Sequence, residues 1–140
     1  ITEYLAALKR EGKLGFKPMD ESITYHDPCQ ISRRGGATGA ARELLAAVAT
    51  DFREMTPTGD YNWCCGGGGG NVFTGIIDSG LDTAARARVR EAVATDAQVL
   101  AVACPQCAVM LADAAKVENL DRQLEVKELS EIVNARLASK

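Results

Sequence analysis

A chain of 140 residues suits one compact domain around one core, and it contains no apolar run long enough to span a membrane as a helix. Apolar residues make up 46% and charged residues 25%, the balance of an ordinary globular protein. A formal charge of -3 gives no basic surface for nucleic acid, and five cysteines are an odd number for a secreted disulfide scaffold.

The first element is a short helix, predicted because Ile1, Tyr4, Leu5 and Leu8 recur at helical spacing and Gly12 follows as a stop. Residues 22–26, β-branched and aromatic, predict the first strand, with Pro28 closing it and Cys29 just past its carboxyl end. Arg33, Arg34, Gly35 and Gly36 read as a loop. Ala41, Leu44, Leu45 and Val48 form one face of an amphipathic helix over residues 38–49. Residues 52–55 read as a short second strand, closed by the turn signal Thr56-Pro57-Thr58-Gly59.

Past a glycine run, Val72, Phe73, Ile76 and Ile77 give the apolar face of a helix that ends at Gly80. The next helix opens with Asp82 as cap and Leu81 as a staple against Ala85 or Ala87. In it Ala85, Val89, Ala92 and Val93 are expected to face the core, and Arg86, Arg88, Arg90 and Glu91 to face water. Residues 99–103 are continuously apolar, the mark of a strand buried on both faces. Cys104 ends that strand, and Pro105 starts a helix carrying Cys107, Met110, Leu111 and Ala114 on one side. Residues 124–126 are a brief last strand, and Leu129, Ile132, Val133 and Leu137 mark the closing helix. Alternating strands and helices predict a three-layer α/β domain with a mostly parallel sheet of about four strands. Residues 1–140 are read as a single domain, and the start at Ile1 in place of Met is what a piece of a longer polypeptide would show.

The chemistry concentrates in Cys64-Cys65-Gly66-Gly67-Gly68-Gly69-Gly70, which makes no sense as core packing. Glycine buries no side chain, and adjacent thiols hold their sulfurs poorly for a mutual disulfide. In an open parallel sheet ligands bind beyond the carboxyl ends of the strands. That topology brings Cys29, Cys64, Cys65, Cys104 and Cys107 to one edge. Cys104-Pro105-Gln106-Cys107 sets two sulfurs at a helix start, where free N–H groups and the dipole favour thiolates. The bare backbone of Gly66 and Gly67 can approach a bulky sulfur-rich group and offer it N–H donors.

His26-Asp27-Pro28-Cys29, Cys64-Cys65-Gly66 and Cys104-Pro105-Gln106-Cys107, in a C-x34-CC-x38-C-x2-C pattern, resemble the cysteine-rich CCG domain. That domain occurs in heterodisulfide reductase subunits of the B and D types and in iron–sulfur subunits of glycolate and lactate oxidation. It also occurs in redox subunits of sulfate-reducer membrane complexes linked to dissimilatory sulfite reduction. Asn62-Trp63, the long glycine run and Arg33-Arg34 are most like this last, single-motif type. The resemblance implies a [4Fe–4S] cluster, noncubane in form, bound by Cys29, Cys64, Cys65, Cys104 and Cys107 against Gly66 and Gly67. It also implies delivery of electrons to a disulfide or heterodisulfide cleaved at the cluster, with Cys65 and His26 as the catalytic candidates. The chain would then be a C-terminal fragment of a longer iron–sulfur protein. Its setting would be cytoplasmic, at the membrane through partner subunits.

Other readings stand beside this one. Four of the thiols could close a zinc site in a structural or subunit-docking module without catalysis. Cys104 and Cys107 alone match a thioredoxin-like dithiol, although three further cysteines in register argue against it. No Gly-Lys-Ser/Thr follows the glycines, so a phosphate cradle is rejected. His26 is either a strand-end residue bonded to Asp27 or backbone, or a donor to a cluster sulfur. Asp27 reads as a turn or capping residue. Arg33 and Arg34 read as solvated loop residues or as guides for an anionic substrate. Trp63 reads as a shield or as core, and Tyr25 as core.

Overall fold

The computed structural model describes residues 1–74 and 82–138. Three parallel strands, β1 (Ile23–His26), β2 (Val99–Val102) and β3 (Glu125–Glu128), lie in the order β1-β2-β3. The register pairs His26 with Val102 and Val102 with Glu128, so the carboxyl ends of all three strands meet at one edge. Helices α1 (Thr2–Arg10), α2 (Thr38–Val48), α3 (Asn71–Thr74), α4 (Ala84–Val93), α5 (Pro105–Val117) and α6 (Leu129–Ala135) surround the sheet.

Side chains alternate across a strand, and the two faces receive different sets. Ile23, Tyr25, Val99 and Ala101 point to α1, α2 and α6, where they pack with Ala6, Leu44, Leu45, Val48, Ile132 and Val133. Leu100 and Val102 point the other way, to α4 and α5, and pack with Val89, Ala92, Leu111, Ala114, Cys65 and Cys107. The period of two therefore puts His26 on the second face with Val102, because Tyr25 belongs to the first. All four residues of β1 and of β2 are buried, as a parallel sheet covered on both sides requires.

Several expectations are corrected. The strand expected at residues 52–55 contributes a single bridge, Phe52 to Ile23, flanked by Ile23 N to Asp51 O at 2.9 Å and Arg53 N to Ile23 O at 2.8 Å. Beyond it Glu54 and Thr58 are drawn off the sheet edge to the guanidinium of Arg42, so three strands form where about four were expected. In α1 the buried residues are Thr2 and Ala6, while Ile1 and Tyr4 lie outside. The segment from Gln30 to Arg34 is one π-helical turn, not open loop. Thr83, not Asp82, caps α4 by accepting the Arg86 N–H at 3.2 Å. In α3 Asn71 is the buried residue and Phe73 is exposed. Ile76, Ile77, Gly80 and Leu81 lie outside the described residues.

Arg88 is the largest correction. It has no exposed surface, although the charge pattern placed it in water. Its position was written in the helical period, since residues 85, 88 and 92 fall on one side at spacings of three and four.

Candidate metal centre

Three segments deliver the cysteines. Cys29 follows β1 and opens the π-helical turn, which is pinned by the Ile31 and Ser32 N–H groups, both donating to the Pro28 carbonyl at 2.9 Å. Asp27 just before it is a buried anchor. Its carboxylate accepts both terminal nitrogens of Arg42 at 2.8 and 2.9 Å, the Gly59 N–H at 2.8 Å and the Thr58 hydroxyl at 3.1 Å. Burial alone would raise its pKa, and the bonds from Arg42, Gly59 and Thr58 outweigh burial and lower it.

The same anchor fixes the approach to the paired cysteines. Asn62 donates through its side-chain nitrogen to the Asp27 carbonyl, while Arg33 donates to the carbonyls of Asp60, at 2.9 Å, and Asn62. Arg33 is thus a clasp on the loop leading to Cys64, not a free cation waiting for an anionic substrate. Arg34 is exposed, and Trp63, at 57% exposure, is no part of the core.

Gly66, with φ of 78°, turns the chain back so that its N–H meets Cys64 Sγ at 3.4 Å. A Cβ on Gly67 would sit 2.8 Å from Met110 Cγ, so a side chain there would have to displace Met110, while the Cys65 thiol at 3.7 Å would be in ordinary contact. Asn71 holds the turn from behind, donating to the Gly66 carbonyl at 2.9 Å.

Pro105 begins α5, leaving Cys104 at its cap position and Cys107 one turn in, facing the core. The Cys107 thiol lies 3.3 Å from Cys65 Sγ, and both residues are buried, at 3% and 4% exposure. All five cysteines are free thiols. Cys29 lies close enough to Cys64, and Cys104 to Cys107, for their charges to be felt. The structure brings Cys65, Cys107 and His26 within 4.8 Å of one another, while Cys29 and Cys104 stand just past the carboxyl ends of β1 and β2 and Cys64 beside Cys65.

The two buried thiols are pushed in opposite directions. The hydrogen bond from Cys107 lowers Cys65, against the opposing effect of burial, with further help from the nearby His26 and the Gly67 N–H. Cys107 is correspondingly raised, by that bond first and then by burial and Cys104. Burial also raises Cys64, partly offset by the Gly66 N–H.

His26, almost completely buried, completes the site. A ring nitrogen lies within 4.8 Å of the sulfurs of Cys65 and Cys107. Its partner is neither Asp27 nor backbone. Arg88 Nε reaches His26 Nδ1 at 3.2 Å, and Nε2 has no hydrogen-bond partner among the described residues.

A cluster of free sulfurs, a backbone held against one of them and an unpaired buried ring nitrogen together fit a sulfur-ligated metal group. The sequence pattern of the cysteine-rich domain, CCG, matches residues 23–112. The chain belongs to this family. It is 37% identical over 135 residues to a subunit of the dihydromethanophenazine:CoB–CoM heterodisulfide reductase of Methanosarcina mazei, covering 95% of this chain and 32% of that one. It is 33% identical to a "Probable membrane-anchored ferredoxin" of Chromohalobacter salexigens, covering 96% of this chain and 20% of that one. Identity is 31% to the "Probable iron-sulfur-binding oxidoreductase FadF" of Bacillus subtilis, over 94% of this chain and 19% of that protein. The chain thus spans 32% of the first relative's length and 20% and 19% of the other two. No solved structure matches it. No helix among the described residues is long and apolar enough to cross a membrane.

Proposed function

We propose that this chain is an iron–sulfur redox domain of a larger oxidoreductase, with Cys29, Cys64, Cys65, Cys104 and Cys107 holding a [4Fe–4S] cluster of noncubane form. One observation carries the reading: sulfurs from distant segments meet beside glycine backbone, with Cys65 and Cys107 at 3.3 Å. The relatives' names, an iron–sulfur-binding oxidoreductase and a ferredoxin among them, support the same class.

The reaction class is reduction of a disulfide or heterodisulfide to two thiols by two electrons and two protons, supported by the heterodisulfide reductase relative. The cluster would supply the electrons. The chain's own residues prepare the place. The Cys65 thiolate, favoured by the Cys107 and His26 contacts, is ready to ligate. Gly66 and Gly67 keep side chains out of the space beside it. Asp27 and Arg42 hold the loops that bring Cys29 and Cys64 to the edge. The domain works with other subunits of a membrane-associated complex on the cytoplasmic side, a setting suggested by one relative being part of a multi-subunit reductase and another being named as membrane-anchored.

Anaerobic reconstitution followed by iron, acid-labile sulfide and zinc analysis tests the proposal. About four irons and four sulfides with broad visible absorbance are expected. One zinc without sulfide would replace this reading with a structural zinc module.

A further inference from the structure

We propose that Arg88 is a positioning residue that fixes His26 as the Nε2–H tautomer, so that the ring nitrogen not bonded to Arg88 carries a hydrogen and not a metal-binding lone pair. A guanidinium has only donors. Its Nε lies 3.2 Å from His26 Nδ1, so Nδ1 must accept, and a neutral imidazole that accepts at Nδ1 carries its proton on Nε2. Arg88 is not free to turn away. Its Nη1 donates to the Pro57 carbonyl at 2.9 Å and to Glu91 at 2.7 Å, and the whole side chain is buried.

A histidine that ligates a metal ordinarily donates its other N–H to a carboxylate or carbonyl. Here a donor stands in that place, and the logic inverts. His26, Cys65 and Cys107 lie near enough to hold a cation, yet by this assignment the ring nitrogen not bonded to Arg88, which has no hydrogen-bond partner among the described residues, bears a hydrogen. The site is thereby reserved for sulfur ligation, with His26 as a hydrogen-bond donor to it. The donor's effect on a bound cluster rests on the function proposed above; the tautomer does not.

His26 is the only histidine, so its nitrogen-15 resonances need no assignment. Long-range proton–nitrogen correlation spectra of the reduced, metal-free chain at neutral pH read the tautomer directly. The expected result is a protonated Nε2 and a bare Nδ1 in the parent, exchange-averaged nitrogens in Arg88→Met, and return of the parent pattern in Arg88→Lys. A protonated Nδ1 in the parent overturns the proposal, as does an Arg88→Met spectrum identical to the parent's. Should Arg88→Met fail to fold, the parent spectrum and Arg88→Lys still decide. In reconstituted protein the reduction potential of Arg88→Met should move negative, because an N–H to sulfur favours the reduced form; an unchanged potential removes the donor role. A chain that takes up no iron yet shows Nε2–H would refute the cluster and leave the tautomer standing.

Discussion

The face of the sheet under α1, α2 and α6 is packed almost entirely with aliphatic side chains around Tyr25, whereas the face under α4 and α5 buries two thiols, an imidazole and a guanidinium. Apolar contacts are non-directional and need only volume and alternation. Polar groups on the other face call for directional partners, because a buried donor left alone costs about 1–3 kcal/mol, and His26 Nε2 and Arg88 Nη2 are left without one among the described residues. Arg88 therefore reaches Glu91, Pro57 and His26, and Cys107 reaches Cys65. One face holds the fold together, and the other carries the thiols and the imidazole of the candidate site.

That division can be broken from either side. Cys65→Ser should abolish iron uptake while far-ultraviolet circular dichroism stays as in the parent; retention of iron and sulfide would remove Cys65 from the ligand set. Arg88→Ala leaves Glu91 and His26 without their partner and should cost about 3 kcal/mol in urea unfolding, near the low end for a buried pair because Glu91 is partly exposed. Leu45→Ala, on the apolar face, should cost about 2–5 kcal/mol with iron content per folded molecule unchanged. Iron lost in proportion to stability would show that the two faces do not act separately.

The smallest effect concerns the surface latch between α4 and α5, where Glu118 takes Arg90 at 2.8 Å and also Arg86. These bonds, Arg90 first, hold Glu118 down from 4.5 to about 2. A carboxylate with a lowered folded pKa adds stability above its ordinary value and loses it as pH falls through the folded one. The difference in unfolding midpoint between the parent and Glu118→Gln should therefore be present at neutral pH, shrink below 4.5 and close near about 2. Added salt should narrow it at neutral pH, since the pairs lie at the surface.

The helices α2, α5 and α6 and the strands β1 and β2 were legible because their apolar spacing is the period of the element itself. The missing fourth strand was not, because Phe52 and Met55 look like strand residues until Arg42 draws Glu54 and Thr58 off the edge. Asp27 read as a turn residue, since nothing local reveals that a helix fifteen positions on will supply Arg42 to it. Arg88 could have been placed inward from its spacing, but a guanidinium is normally assigned to water when no partner is in sight.

The order of residues was enough to settle the α/β alternation and the placing of Cys29 and Cys104 just past the carboxyl ends of two parallel strands. Both follow from local period and from the rule that parallel strands end on a common side. Packing alone settled which sulfurs touch, that Cys65 meets Cys107, and that His26 faces Arg88 with one nitrogen and is left unpaired at the other. The reason is directional. A hydrogen bond depends on the position of two atoms from distant segments to within a few tenths of an ångström, and only the packed fold sets that distance.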